Sequence, residues 1–136
     1  MTLYFKGAQA VEPMQLNLAK AFLAEFLFTF ALCFVVLNVA TTRATANNSY
    51  FGWAIGFTVL AGAYAIGAIS SAAFNPAVAL GITILNLSSW TNLWVYILAN
   101  LLGGAVAAWT FNAAHFHEVE QDENRRNGEN KKIELP

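Results

Sequence analysis

The longest stretch without charge decides what this chain can fold into. From Ala44 through His117 the sequence contains no Asp, Glu, Lys or Arg. A water-soluble fold of this size cannot keep so many residues off its surface. Charged residues make up 11% of the whole chain, whereas soluble domains usually carry about 25%. We therefore interpret the chain as a membrane protein.

Three apolar runs are long enough to cross a bilayer, since a spanning helix needs about 20 mostly apolar residues. They are Leu18–Ala40, Tyr50–Ile69 and Leu93–Ala113. Each run is uncharged except the first, which holds Lys20 and Glu25. Lys20 lies close enough to the end of its run to reach the interface with its side chain. These runs predict three transmembrane helices.

A fourth apolar run, Pro76–Leu85, is too short to span the bilayer. Asn75 is a favourable helix N-cap, and Pro76 suits the first helical position. Together they predict a short helix that starts inside the membrane. The alternative is a kink in one long helix, which would leave the serines and the asparagine of this segment without partners in lipid. The predicted fold class is an all-α membrane protein with three transmembrane helices plus one re-entrant half-helix.

Glu25 lies inside the first predicted span, where a carboxylate is costly and usually marks a functional position. The alternative is a carboxylate near enough to the membrane edge to reach water. A proton relay would need a titratable partner within the membrane, and the predicted spans supply none.

The distribution of Lys and Arg predicts the orientation and the domain boundaries. One side of the membrane would carry Arg43, Arg125, Arg126, Lys131 and Lys132, and the other Lys6 and Lys20. The positive-inside rule then places the C-terminal tail in the cytoplasm and the Asn75 loop outside. The predicted organisation is an extra-membrane segment at 1–17, a membrane unit at 18–114 and a cytoplasmic charged tail at 115–136.

Several other functions are not favoured by the sequence. No basic stripe suggests a nucleic-acid partner, and no nucleophile–base pair or metal cluster suggests an enzyme or a cofactor. His115 and His117 alone do not make a zinc site. Asn47 and Asn86 head Asn-x-Ser sequences, but both lie in short loops and we expect neither to be glycosylated. Cys33 is interpreted as an apolar filler.

Four segments share a pattern with one known family. They are "AEFLFTF" (Ala24–Phe30), "VLNVATTRAT" (Val36–Thr45), "GAISSAAFNPAVALG" (Gly67–Gly81) and "WTNLWVYILANLLGGAVAA" (Trp90–Ala108). In this order they resemble the aquaporin, or major intrinsic protein, family. The last segment is most similar to the sixth helix of tonoplast intrinsic proteins.

The resemblance implies two inverted halves, each with three spans and one Asn-Pro-Ala half-helix. This chain has one such motif and is similar to the C-terminal half, so the first half is expected to be missing. The Asn-Pro-Ala-Val and Ile-Ser-Ser runs also occur in first-half loops of the family. A homotetramer is a further implication of the resemblance.

The resemblance implies a channel in which Asn75 donates hydrogen bonds to permeating molecules. An extended loop would expose a series of backbone carbonyls that accept hydrogen bonds from the permeating molecules. These carbonyls belong to Ser71, Ala72, Ala73 and Phe74. Glu25 would hold the loop by accepting hydrogen bonds from its backbone. Apart from the resemblance, small residues fit tight helix packing, and we interpret Gly81 as lying on the half-helix where helices would cross.

The selectivity positions depart from those of strict water channels. Val78 follows Ala77 where such channels have an arginine, and an ungapped count places Ala63 where they have a histidine. The loop before Asn75 contributes Ala72 to the selectivity positions. The pore and selectivity residues expected from the resemblance are Asn75, Pro76, Ala77, Val78, Ala63 and Ala72. Short apolar groups predict a wider and less polar constriction.

The leading hypothesis is therefore half of a channel for water and small neutral solutes such as ammonia, urea, peroxide or glycerol. The alternative is a non-conducting membrane protein that packs with full-length relatives. Upstream sequence with three more spans and a second Asn-Pro-Ala would decide between them. Vacuolar and plasma membranes both remain open as locations.

Overall fold

The computed structural model describes residues 12–116, which form helices and contain no β-strand. The helices are α1 (Leu18–Thr41), α2 (Phe51–Ser70), α3 (Pro76–Ile84) and α4 (Leu93–Ala114). Single turns of 3₁₀ helix at Arg43–Thr45 and Trp90–Asn92 precede α2 and α4. The predicted all-α fold is confirmed. His117 and most of the predicted tail lie outside the described residues.

Among the described residues, three segments are long and apolar enough to cross a membrane. They are Leu18–Thr41, Phe51–Ser70 and Trp90–Ala114. Within residues 12–116 the three long apolar helices predicted as spans are therefore present, with approximately the predicted bounds. Their outer surfaces carry large exposed aromatic side chains, among them Trp53, Tyr64 and Trp109. Such surfaces suit a lipid solvent, in which apolar side chains need no cover from other protein.

Polar side chains satisfy the open ends of α1. At its start the Asn17 Oδ1 accepts a hydrogen bond from the Lys20 N–H at 3.1 Å. At its end the hydroxyls of Thr42 and Thr45 both donate to the Asn38 carbonyl, at 2.6 and 2.7 Å. The Asn48 amide donates to the Val39 carbonyl at 2.7 Å. These bonds supply partners to carbonyls that the last turn of a helix leaves free.

Helix α1 lies at the centre of the unit, with α4 packed along it most extensively and α2 beside it. Gly103 lets α4 approach α1 closely, because a Cβ there would lie 2.6 Å from the Phe26 carbonyl oxygen. Next to this contact the buried Thr29 hydroxyl donates to the Asn100 Oδ1 at 2.8 Å. Small residues at such crossings allow helices in membranes to gain van der Waals contact.

The buried core forms around the loop 71–75, which joins α2 to α3. One cluster unites Ala24 of α1, Ile66 of α2 and Phe74 of the loop. A second unites Ala73 of the loop with Ala79 and Tyr96, from α3 and α4. The loop is therefore part of the core and is positioned by all four helices.

Candidate functional site

The short helix α3 begins at the Asn-Pro-Ala sequence. The Asn75 backbone is extended, with φ of −153° and ψ of 131°, and Pro76 occupies the first turn. The Asn75 Oδ1 accepts a hydrogen bond from the Ala77 N–H at 2.8 Å. This is the N-cap geometry expected from the two residue types. With its oxygen tied to the cap, the exposed side chain of Asn75 can present its NH₂ group as a donor.

Glu25 connects α1 to the loop that precedes Asn75. Its side chain is completely buried and accepts three hydrogen bonds. The Ala73 and Phe74 backbone N–H groups donate to its two oxygens, at 2.8 and 2.7 Å. The Ser70 hydroxyl donates at 2.6 Å. The alternative, a carboxylate that reaches water at the membrane edge, would require an exposed side chain, and that of Glu25 is not exposed among the described residues. The role of Glu25 as a scaffold stays a prediction.

Tyr96 of α4 contacts the same loop, and sequence reasoning did not single it out. Its hydroxyl donates to the Ser70 carbonyl oxygen at 2.7 Å, and the side chain is fully buried. A buried tyrosine usually requires a partner for its hydroxyl, so a Tyr within an apolar span is a signal for such a contact. That signal does not identify the partner, which lies on another helix.

The loop between the helices is not extended, and this expectation was wrong. Ser71, Ala72 and Phe74 have positive φ values of 67°, 51° and 51°. Left-handed backbone in non-glycine residues costs about 1–3 kcal/mol each and persists only where the surroundings enforce it. Here the carboxylate of Glu25 binds two consecutive N–H groups, which turns the chain around it.

Phe74 contributes its side chain as well as its carbonyl. Its ring packs against the ring of Phe28, with centroids 5.8 Å apart. Gly62 of α2 leaves room for both rings, since a Cβ there would lie 2.7 Å from Phe74 Cζ and 2.8 Å from Phe28 Cδ1. Sequence reasoning assigned only the carbonyl, because an apolar side chain in an apolar segment gives no separate signal.

A groove of about 620 Å³ runs from the loop along α1. Its walls are mostly apolar, and they comprise Leu32, Cys33, Val36, Leu37, Val59, Ala72, Ala73, Phe74, Asn75, Val78, Gly104 and Ala108. Five of the predicted pore residues therefore lie together here, in the run Ala72–Asn75 and at Val78. The wall formed by α1 was not predicted.

Other predicted residues lie elsewhere. Ala63 is exposed on α2 and is not among the residues that line the groove, nor are Ser71, Pro76 and Ala77. A Cβ added to Gly81 would have no described atom within 4 Å, so a helix crossing there stays a prediction. Within residues 12–116 no group of three or more His, Cys, Asp or Glu could hold a metal ion.

Comparisons with known proteins agree on one family. A family model described as major intrinsic protein matches residues 3–111. Aquaporin NIP1-3 of Oryza sativa subsp. japonica is 41% identical over 92 residues, which cover 68% of this chain and 32% of the relative. Nodulin-26 of Glycine max is 35% identical over 97 residues, which cover 71% of this chain and 35% of the relative. Aquaporin NIP1-4 of Oryza sativa subsp. japonica is 35% identical over 115 residues, which cover 82% of this chain and 41% of the relative.

The matched segment spans only about a third to two fifths of these curated relatives. They carry NIP and nodulin names, so the likeness of the last helix to tonoplast intrinsic proteins stays a prediction. No solved structure matches the chain.

Proposed function

Because the chain belongs to the major intrinsic protein family, we propose that it supplies one half of a transmembrane channel for water and small neutral solutes. With three candidate spans it is a multi-pass integral membrane protein. The channel activity is a proposal, since the chain matches only part of its relatives.

The observation that carries the proposal is the position of Asn75. It caps the N-terminus of α3 and lines the groove beside apolar residues of α1. A helix N-terminus carries a partial positive charge, so it repels cations and turns the oxygen of a passing water molecule toward itself. A water that accepts a hydrogen bond from the Asn75 NH₂ group cannot readily relay a proton through that bond.

The lining of the groove supports a preference for small neutral solutes. Asn75 is the only amide side chain among its lining residues, and Val78 stands where an arginine would add charge. An apolar wall cannot replace the hydration shell of an ion. Ammonia, urea, peroxide and glycerol are the solutes we propose in addition to water. Ala72 and Val78, which line the groove, are proposed to set the constriction. Ala63 lies outside the groove of this unit and is proposed to contribute only in the complete channel, and Pro76 and Ala77 complete the motif.

The proposed arrangement in the membrane follows from the same elements. Residues 71–75 and α3 form a re-entrant half-helix, and the complete channel needs a second half-helix of the kind that a first half-repeat supplies. The segment 1–17 lies outside the membrane unit 18–114, and the tail 115–136 is cytoplasmic. Four copies would assemble as a tetramer. No chemical reaction or cofactor is involved.

The test uses the chain fused behind a first half-repeat that carries its own Asn-Pro-Ala, reconstituted in liposomes. Osmotic water flux should exceed that of empty liposomes. Asn75→Asp should lower water flux or admit cations, because it places a negative charge at the N-terminus of α3. Asn47→Asp, in the exposed loop after α1, is the matched control and should change neither.

Two results would contradict the proposal. One is unchanged water flux and unchanged ion leak in Asn75→Asp. The other is a correctly folded fusion, or a stable complex with a full-length relative, that passes no solute. The second result would favour the non-conducting interaction partner, for which the open apolar groove would be a contact surface.

A further inference from the structure

Tyr96 reaches the end of α2 from a different helix. Its hydroxyl donates to the carbonyl of Ser70, the last residue of α2, at 2.7 Å. The last carbonyls of a helix have no partner within the helix, so this bond occupies an otherwise free acceptor. The ring is enclosed by Ala73 and Ala79 and has no exposed surface. The contact is thus buried.

Ser70 is the residue at which three helices meet. Its hydroxyl donates to the Glu25 carboxylate of α1 at 2.6 Å and accepts from the Ala72 N–H at 3.3 Å. Its carbonyl accepts from Tyr96 of α4. Ser71, with its left-handed φ of 67°, follows directly. The direction in which the chain leaves α2 is therefore set by two buried side chains, Glu25 and Tyr96.

We infer that Tyr96 is a positioning residue for solute selectivity, acting through the Ser70 carbonyl on the loop 71–75. This inference rests on the proposed channel function. The strained backbone of Ser71 and Ala72 persists only while its surroundings enforce it. Without the tyrosine hydroxyl the Ser70 carbonyl is free to turn, and Ala72 and Asn75 lose their fixed position in the wall of the groove. A less fixed wall discriminates less well by size.

The first measurement is the ratio of glycerol flux to water flux in liposomes containing the fused channel. Tyr96→Phe keeps the ring and removes only the hydroxyl. Loss of one buried hydrogen bond changes a local equilibrium about fivefold, and we expect a rise of about that size in the ratio. A change in the number of folded channels alters both fluxes equally and leaves the ratio unchanged. Tyr64→Phe, with Tyr64 86% exposed on α2, is the matched control.

The second measurement does not depend on conduction. It uses this chain alone, whose one cysteine is Cys33. With Cys33→Ser as the background, the single thiol of Ala72→Cys is labelled with a water-soluble maleimide. Adding Tyr96→Phe should speed labelling, and adding Tyr64→Phe should not. Equal labelling rates would overturn the inference, as would an unchanged flux ratio in a conducting fusion. If the parent fusion passes no solute, the channel proposal fails, and the labelling rates alone decide whether Tyr96 positions the loop.

Discussion

Glu25 is the residue that makes the most side-chain hydrogen bonds to the loop and to Ser70 beside it. Its two oxygens receive three hydrogen bonds from Ser70, Ala73 and Phe74. A carboxylate is suited to this role because it is an acceptor only, with two oxygens that can each bind more than one donor.

Glu25→Gln should destabilise the membrane unit, because the new NH₂ group faces donors instead of accepting from them. Leaving a buried donor without a partner costs about 1–3 kcal/mol. We expect lower folded yield and a lower melting temperature in detergent. Glu12→Gln, at an exposed acidic residue, should melt like the parent. A normal yield together with an altered pH dependence of flux would instead assign Glu25 a titrating role.

Val78 is the residue whose replacement best tests the constriction. It lines the groove and is 47% exposed. In the fused channel Val78→Arg should reduce urea and ammonia flux more than water flux, because it adds a long side chain and a fixed charge. Val78→Leu adds bulk without charge and separates the two causes. An equal loss for all three solutes would mean that Val78 does not line the narrowest point.

The residues that sequence reasoning singled out are those whose chemistry conflicts with an apolar setting. Glu25, Asn75 and Pro76 are costly in a span, and each lies at a hydrogen-bonded or capping position. The sequence did not predict the ring contact of Phe74 with Phe28 or the hydrogen bond of Tyr96 to Ser70. Aromatic side chains are common in any apolar helix, and what distinguishes these two is a partner from another part of the chain.

At the scale of elements, hydropathy was sufficient to locate the long helices. Each span must form its backbone hydrogen bonds within itself and present apolar side chains to lipid, and both requirements favour long apolar helices. It was not sufficient for the loop 71–75. The left-handed backbone of Ser71 and Ala72 follows directly on Ser70, which is bonded to Glu25 and Tyr96, two residues far away in sequence. Nothing in the local sequence identifies Ser71 and Ala72 as left-handed, since neither is a glycine.

The crossing of α1 and α4 provides a prediction at this scale. Gly103→Ala places a methyl group 2.6 Å from the Phe26 carbonyl oxygen, which is backbone and cannot turn aside. Overpacking of this kind costs about 1–3 kcal/mol, and we expect a lower melting temperature in detergent. The adjacent Gly104→Ala is the matched control, since its methyl would meet only the Cys33 sulfur at an ordinary 3.7 Å. Equal melting of the two variants would contradict the close approach.

At the scale of the whole molecule, the described unit combines the short helix α3 with an open groove beside it. The groove is bounded by α1, α2, α3, α4 and the loop, and is otherwise uncovered by the described residues. The relatives are longer, and this chain matches 32% of Aquaporin NIP1-3. In membrane transport proteins built from inverted repeats, the binding site lies between two repeats. One repeat therefore presents only one wall of such a site.

We predict that this 136-residue chain does not conduct by itself. Two copies would line both ends of a passage only if they inserted in opposite orientations. The excess of Lys and Arg on one side, at Arg43 and in the tail, favours a single orientation. Parallel copies would place both Asn75 loops at the same face and leave the other half of the passage unlined. Liposomes containing the purified chain alone should therefore show no osmotic water flux above that of empty liposomes, while the fusion to a first half-repeat conducts. Rapid swelling with the chain alone, abolished by Asn75→Asp and accompanied by termini that label from both sides of the membrane, would instead establish a channel of dual topology.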